Sequence, residues 1–123
     1  MSSTQSQLQE YLSRAKFADP SVWIKRGLNP SPPDVIARME AVVNQVCEAA
    51  LIGTKSGNPS AKIADAMEAA LKKWKASEFD TEEREFLCSE VATIGRIVGA
   101  SMGPRLNRWL YGPILGALVN LGR

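Results

Sequence analysis

The acidic run at residues 78–90 holds the side chains whose types and spacing most resemble chemistry. Six carboxylates stand there against a single cation, Arg84, which gives the window a formal net charge of −5. Paired carboxylates can act as general acid and base, or can hold a divalent cation. A calcium loop, however, needs alternating oxygen ligands and a glycine at its sixth position, and glycosidase carboxylates flank a cleft. A consecutive run indicates neither arrangement, so we predict no metal ion and no catalytic pair.

The same run is typical of the start of a helix. Asp80 can accept the free backbone N–H groups of a first turn, and Glu83, three residues later, can reach back to complete a capping box. Glu82, Glu83 and Glu85 would lie near the positive end of the helix dipole, where each contributes from a few tenths to about 1 kcal/mol. An apolar stripe follows at helical spacing: Phe86, Leu87, Val91, Ile94 and Val98. We interpret the run as structural, with its carboxylates as a candidate surface for a basic partner.

The rest of the sequence restricts the available chemistry further. The chain has no histidine, which excludes histidine-based triads, zinc sites and acid/base catalysis. The loop GTKSG at 53–57 has the residues of a phosphate loop in the wrong order. Cys47 and Cys88 have no activating base nearby in sequence, and we interpret them as reduced core residues rather than a disulfide or a reactive thiol. We therefore predict a protein that is not an enzyme and has no cofactor.

Charge is unevenly distributed along the chain. The formal net charge is +2, but the chain from Val91 onward carries no acid and four arginines: Arg96, Arg105, Arg108 and Arg123. Such charges either pair within the chain or are solvated, or they form a surface for a charged protein partner. Nucleic acid is not expected, because the chain lacks overall basicity and shows no recognition motif.

The expected compartment is the cytoplasm. Residues 1–9 are polar and show neither the basic nor the apolar region of a secretory signal. The longest apolar stretches contain polar or charged residues too early to cross a bilayer, so we expect no membrane span.

Apolar residues recur at helical spacing along most of the chain, and no strand-like alternation of any length occurs. The pattern predicts an all-α fold, a compact orthogonal bundle of about five helices in one domain over 1–123. The predicted helices cover 4–16, 31–52, 60–75, 81–102 and 105–112. Residues 17–30 read as an ordered loop pinned by Trp23. Residues 1–7 leave room for disorder, and the tail 113–123 is an apolar extension that needs cover.

Two sets of residues have both a packing and a binding interpretation. Trp23 and Trp109 lie on or beside apolar patterns typical of a core, but beside Arg26, Arg105 and Arg108 they could anchor an interface. The glycines at 95, 99 and 103 are four apart, so they would share one face of a helix and allow another backbone to approach. That face would serve either internal packing or a dimer contact.

Three stretches carry a resemblance to a known family: WIKRGLNPS at 23–31, SEFDTEEREFLC at 77–88 and LNRWLYG at 106–112. Together they resemble a family of small all-helical bacterial proteins catalogued as a domain of unknown function, over roughly residues 8–112. The resemblance implies an all-helical fold and a bacterial source. It implies no catalytic residues, and the tail after Gly112 lies beyond the usual end of the family.

These observations lead to two functional hypotheses. The first is a non-catalytic protein-binding module, by analogy an immunity or antitoxin-type protein that occludes a bacterial toxin or effector. Its candidate partner-binding residues are Glu82, Glu83, Glu85, Trp23, Arg26, Arg105, Arg108 and Trp109. The alternative is a self-associating scaffold or regulatory homodimer that uses the face of Gly95, Gly99 and Gly103.

Overall fold

The computed structural model describes residues 3–111 of the chain. These residues contain six α-helices and one short 3₁₀ helix. No strand occurs within these residues, so the predicted all-α class is confirmed. The helices are α1 (Ser3–Ser13), α2 (Pro20–Ile24), α3 (Pro33–Lys55), α4 (Ser60–Leu71), the 3₁₀ helix Ala76–Glu78, α5 (Thr81–Val98) and α6 (103–111). Residues 3–7 are helical within α1. The tail 113–123 lies outside the described residues.

Helix α3 is the central element, because α1, α4 and α5 all pack against it. It begins at Pro33 with Pro32 as N-cap, and no side chain caps it. Ser31, which could cap a helix that begins here, does not do so, because its hydroxyl donates to Glu83 instead. At its other end α3 continues past Gly53, where a Cβ would stand 2.8 Å from Cγ1 of Ile63 in α4. Glycine there allows the close approach of α3 and α4.

The segment between α1 and α3 is ordered by its own aromatic residue, as the sequence indicated, and also contains a helix. Asp19 caps α2 by accepting the Ser21 N–H at 2.9 Å. Trp23 is buried, and its indole N–H donates to the Phe17 carbonyl at 2.8 Å. Phe86 of α5 stands edge-on to both Phe17 and Trp23, with ring centroids 4.7 and 5.1 Å apart. This aromatic cluster joins residues 14–32, which we call the α1–α3 segment, to α5.

The start of α5 confirms the helix predicted from the acidic run. Asp80 is the N-cap, and both hydrogen bonds of the capping box with Glu83 are present at 2.8 Å. The box satisfies two backbone N–H groups of the first turn. The Glu83 side chain is therefore engaged in hydrogen bonds within the chain.

The end of α5 differs from the sequence prediction. The helix ends at Val98, and Gly99 caps it in the left-handed region at φ 72°. A Cβ at Gly95 would stand 2.8 Å from both the Ala100 carbonyl oxygen and Met102 Cγ. Gly103 already belongs to α6. The prediction that these three glycines share one helix face is therefore wrong, because the chain turns at Gly99.

The core is one cluster that takes in every helix. Its largest fully buried side chains include Trp23, Tyr11, Phe17, Leu8 and Met39. Helix α6 joins it through Leu106 and Trp109, whose indole N–H donates to the Trp74 carbonyl at 2.8 Å. No helix within residues 3–111 is long and apolar enough to span a membrane.

Candidate functional site

A surface cavity of about 320 Å³ lies between the α1–α3 segment and α5. We call it the α2–α5 cavity. Its lining consists of Arg14, Ala15, Lys16, Val22, Lys25, Arg26, Phe86 and Glu90. Cationic side chains and an aromatic ring therefore meet at one concave place on the surface.

Aromatic rings hold two guanidinium groups at this cavity. The Arg26 guanidinium stands 4.5 Å from the centroid of Phe86, and the Arg14 guanidinium stands 5.0 Å from that of Tyr11. Cation–π contacts of this kind contribute about 0.5–1 kcal/mol at exposed sites. Both arginines are exposed, and within residues 3–111 neither forms an ion pair. Their N–H groups are thus positioned but not committed to a carboxylate of the described chain.

Glu90 brings the one carboxylate of the lining. Its Oε1 accepts a hydrogen bond of 2.8 Å from the buried Tyr11 hydroxyl. Burial, and then the charge of Glu90, raise the pKa of Tyr11 far above its ordinary 10.0, so the hydroxyl stays protonated and donates. Among the described residues no hydrogen bond reaches Oε2, which leaves that oxygen as an acceptor at the cavity.

Lys16 supports the wall of the cavity and is not a free amine. Its ammonium donates to the carbonyls of Tyr11 and Arg14, at 3.0 and 2.8 Å, and to the Asn44 side chain. Burial lowers the pKa of Lys16, and the charge of Glu40, 3.7 Å away, opposes that shift. Because an ammonium has three N–H donors, these three acceptors engage all of them. Lys16 therefore positions the segment that carries Arg14 rather than acting as a nucleophile.

The carboxylates of residues 78–85 divide into a buried one and an exposed set. Glu83 is only 6% exposed, and its two oxygens accept from the Asp80 N–H and the Ser31 hydroxyl. The exposed set is Glu78, Asp80, Glu82 and Glu85, which we call the acidic surface. None of its members forms an ion pair with a described residue. Of the three predicted partner-binding glutamates, only Glu82 and Glu85 are thus available to a partner.

Arg105 and Arg108 are engaged within the chain, although the sequence made them candidates for a partner. Arg105 donates to Asp65 and Glu68 at 2.8 Å each, and Arg108 donates to both oxygens of Glu68. Burial acts to raise the pKa of Glu68, but the hydrogen bond and charge of Arg108, with Lys72 and Arg105, more than offset it. The pKa of Glu68 therefore lies below its ordinary value. This cluster ties α6 to α4.

The two tryptophans of the predicted partner surface are internal. Trp23 is 1% exposed and Trp109 is 7% exposed, so neither can anchor a partner in this conformation. The physical reason is that each indole fills the core and satisfies its N–H on a backbone carbonyl. Arg26 is the predicted binding residue that lies at the cavity. Arg14, Lys25, Phe86 and Glu90 were not singled out for binding, because the contact between Arg26 and Phe86 joins residues far apart in sequence.

The cysteines and glycines do not add a site. Cys47 and Cys88 are free thiols, and burial raises the pKa of each to about 11, so both stay protonated at neutral pH. No group of His, Cys, Asp or Glu side chains in residues 3–111 could hold a metal ion. Gly95 and Gly99 serve the chain's own turn. Self-association stays a prediction, but Gly95, Gly99 and Gly103 do not form the single helix face that it was expected to use.

A protein-family model matches nearly the whole chain. Residues 1–113 match the domain of unknown function DUF4844. No curated protein and no solved structure matches the chain. Because the matched part includes every described helix, the chain belongs to the DUF4844 family of domains of unknown function.

Proposed function

We propose that the protein acts by binding another protein, without catalysis, through the α2–α5 cavity and the acidic surface together. The observation that carries the proposal is the presence of two neighbouring sets of exposed charges of opposite sign. The cations Arg14, Lys25 and Arg26 line the cavity, and the acidic surface runs from the 3₁₀ helix into the start of α5, before Phe86 in sequence. Neither set forms an ion pair with a described residue.

The positions of these charges suit recognition. Glu82 lies one helical turn before Phe86, so this residue of the acidic surface is on the side of α5 that carries the Phe86 ring of the cavity. Charges that do not neutralise one another leave a field that attracts and orients a partner of complementary charge. Arg26 on the Phe86 ring has the composition of an interface hot spot, and the neighbouring Ile24 is 67% exposed. A partner that contacts Arg26 would thus find an exposed apolar side chain two residues away in sequence.

The class of partner proposed here is a toxin or effector of the same cell, which the protein would occlude as an immunity or antitoxin-type protein in the cytoplasm. The acidic surface would complement a basic region of such a partner, and the cavity would receive an acidic one. This assignment rests on the charge pattern and on analogy with other small helical inhibitors.

Capture from lysate of the cells that encode the protein tests the proposal. Three tagged baits are compared: the wild type, the double variant Glu82→Lys/Glu85→Lys, and the control Glu10→Lys/Glu48→Lys, which makes the same charge change at exposed positions elsewhere. We expect one foreign protein to be recovered in stoichiometric amount with the wild type and the control but not with the first variant. Circular dichroism checks that all three baits keep their helix content.

Two results would count against the proposal. Recovery of the same proteins with all three baits would remove the acidic surface from the interface. Recovery of the bait alone, as a dimer by light scattering, would replace partner binding by self-association.

A further inference from the structure

The α2–α5 cavity combines cations with a single acceptor, and this combination restricts what can occupy it. Arg14 and Arg26 are exposed, and each guanidinium is held over an aromatic ring. A guanidinium presents parallel N–H donors whose geometry matches a carboxylate or a phosphate. Lys25 adds a third exposed cation to the lining. The cavity therefore favours an anionic group.

Glu90 distinguishes among anionic groups. Its carboxylate is part of the same lining, so it repels a dianion such as phosphate more strongly than a singly charged carboxylate. Its Oε1 is occupied by the Tyr11 hydroxyl, whereas no described residue donates to Oε2. A ligand that carries both one negative charge and an N–H donor would satisfy the arginines and Oε2 together. An acidic side chain on a peptide backbone has this pair of groups.

The apolar part of the lining fits the same ligand. Phe86, Val22 and Ala15 offer apolar surface between the charged groups, where the methylene groups of a glutamate side chain can lie. The volume of about 320 Å³ is at the small end of ligand sites, which suits one side chain and its adjoining backbone rather than a large cofactor.

We propose that the α2–α5 cavity is the subsite for an acidic side chain of the protein partner. The carboxylate of that side chain lies between the guanidinium groups of Arg14 and Arg26, and a backbone N–H beside it donates to Glu90 Oε2. This inference rests on the proposed protein-binding function and adds the chemistry of the residue that the partner must present.

Nuclear magnetic resonance titration of the full ¹⁵N-labelled chain tests this inference without the partner. The probes are N-acetyl-glutamate N-methylamide, the uncharged N-acetyl-glutamine N-methylamide, and sodium phosphate at matched ionic strength. We expect the glutamate probe to shift the backbone signals of 14–16, 22–26 and 86–90 in a saturable way. The glutamine probe and phosphate should each bind at least about tenfold more weakly.

Variants identify the groups that bind the probe. Arg14→Gln and Arg26→Gln should each weaken the glutamate probe about tenfold, whereas the exposed Arg96→Gln should leave its affinity unchanged. Arg26→Lys keeps the charge over Phe86 but loses the parallel donors, so it should give an intermediate loss. A dispersed spectrum in each variant shows that the fold is retained.

The outcomes separate this inference from the proposed function. Equal affinity for phosphate and the glutamate probe, or affinity unchanged in Arg14→Gln and Arg26→Gln, would overturn the assignment of an acidic side chain. The absence of any saturable shift would overturn it as well, while capture of a partner would still support protein binding. Binding of the glutamate probe without any captured partner would contradict protein binding. It would indicate that the natural ligand of the cavity is a small carboxylate and not a side chain of a partner protein.

Discussion

At the scale of single residues, the charged side chains fall into two groups that sequence does not separate. Glu82 and Glu83 are neighbours of the same type, yet Glu82 is exposed and Glu83 is buried between the start of α5 and Ser31. Arg26 and Arg105 differ in the same way, because Arg105 is paired with Asp65 and Glu68 whereas Arg26 lies at the cavity. These internal contacts decide which charged side chains remain free to contact a partner.

Glu83→Ala should destabilise the fold far more than the matched change Glu82→Ala. Loss of the Glu83 carboxylate leaves the Asp80 N–H and the Ser31 hydroxyl without their acceptor, which should cost about 1–2 kcal/mol in the free energy of unfolding. Glu82→Ala loses only its dipole interaction, a few tenths of a kcal/mol. Urea denaturation of both variants measures the difference. Equal losses would show that the carboxylate of Glu83 carries no structural role.

At the scale of elements, the connections at the two ends of α5 fix how its neighbours pack. The capping box sets the start, and the left-handed Gly99 sets the turn into α6. The Glu68 cluster then ties α6 to α4. Each of these devices gives a measurable prediction.

Gly99→Ala should lower the free energy of unfolding by about 1–2 kcal/mol, because a Cβ is strained at φ 72°. Gly103→Ala is the matched control: no atom lies within 4 Å of a Cβ there, and its φ is not positive, so stability should change by less than about 0.5 kcal/mol. Thermal unfolding at two protein concentrations measures both effects. If the loss of stability in Gly99→Ala, relative to the wild type, grows as the protein is diluted, Gly99 instead lies in a dimer contact.

Glu68→Gln should destabilise the fold in a pH-dependent way. At pH 7 the variant loses charged hydrogen bonds to Arg105 and Arg108, which should cost about 1–3 kcal/mol. Because the folded-state pKa of Glu68 lies below its ordinary 4.5, the wild type keeps this stability above that pH and loses it as pH falls through the lower folded value. The gap between the two proteins should therefore narrow below about pH 4.5. Urea titrations from pH 7 to pH 3 would refute the assignment if the gap stayed constant.

The sequence predicted those elements whose causes are local. The capping box of Asp80 and Glu83 spans four residues, and the apolar stripes follow a fixed period, so both are predictable from the sequence. The sequence does not identify Gly99 as the end of α5, because a glycine spacing of four fits a packing face as well as a helix end. The positive φ of Gly99 in the structure distinguishes the two. The cavity depends on Arg26 meeting Phe86, a contact that no local pattern encodes.

At the scale of the whole molecule, the distribution of surface charge matters more than the small net charge of +2. Neither the acidic surface nor the exposed arginines and lysine of the α2–α5 cavity form ion pairs with described residues. A charge distribution of this kind affects how fast and in which orientation a partner arrives, more than how tightly it is held.

The association rate with the captured partner should therefore depend on where charge is placed. Glu82→Lys/Glu85→Lys should slow association about tenfold or more at low salt, because it reverses the field beside the cavity. The control Glu10→Lys/Glu48→Lys changes the net charge equally and should have a much smaller effect. Raising the salt towards 1 M shortens the screening length to about 3 Å, so the two variants should converge with the wild type. Stopped-flow measurements across salt concentrations give these rates. If both variants slow association equally, net charge alone accounts for the effect and the acidic surface has no special position in the interface.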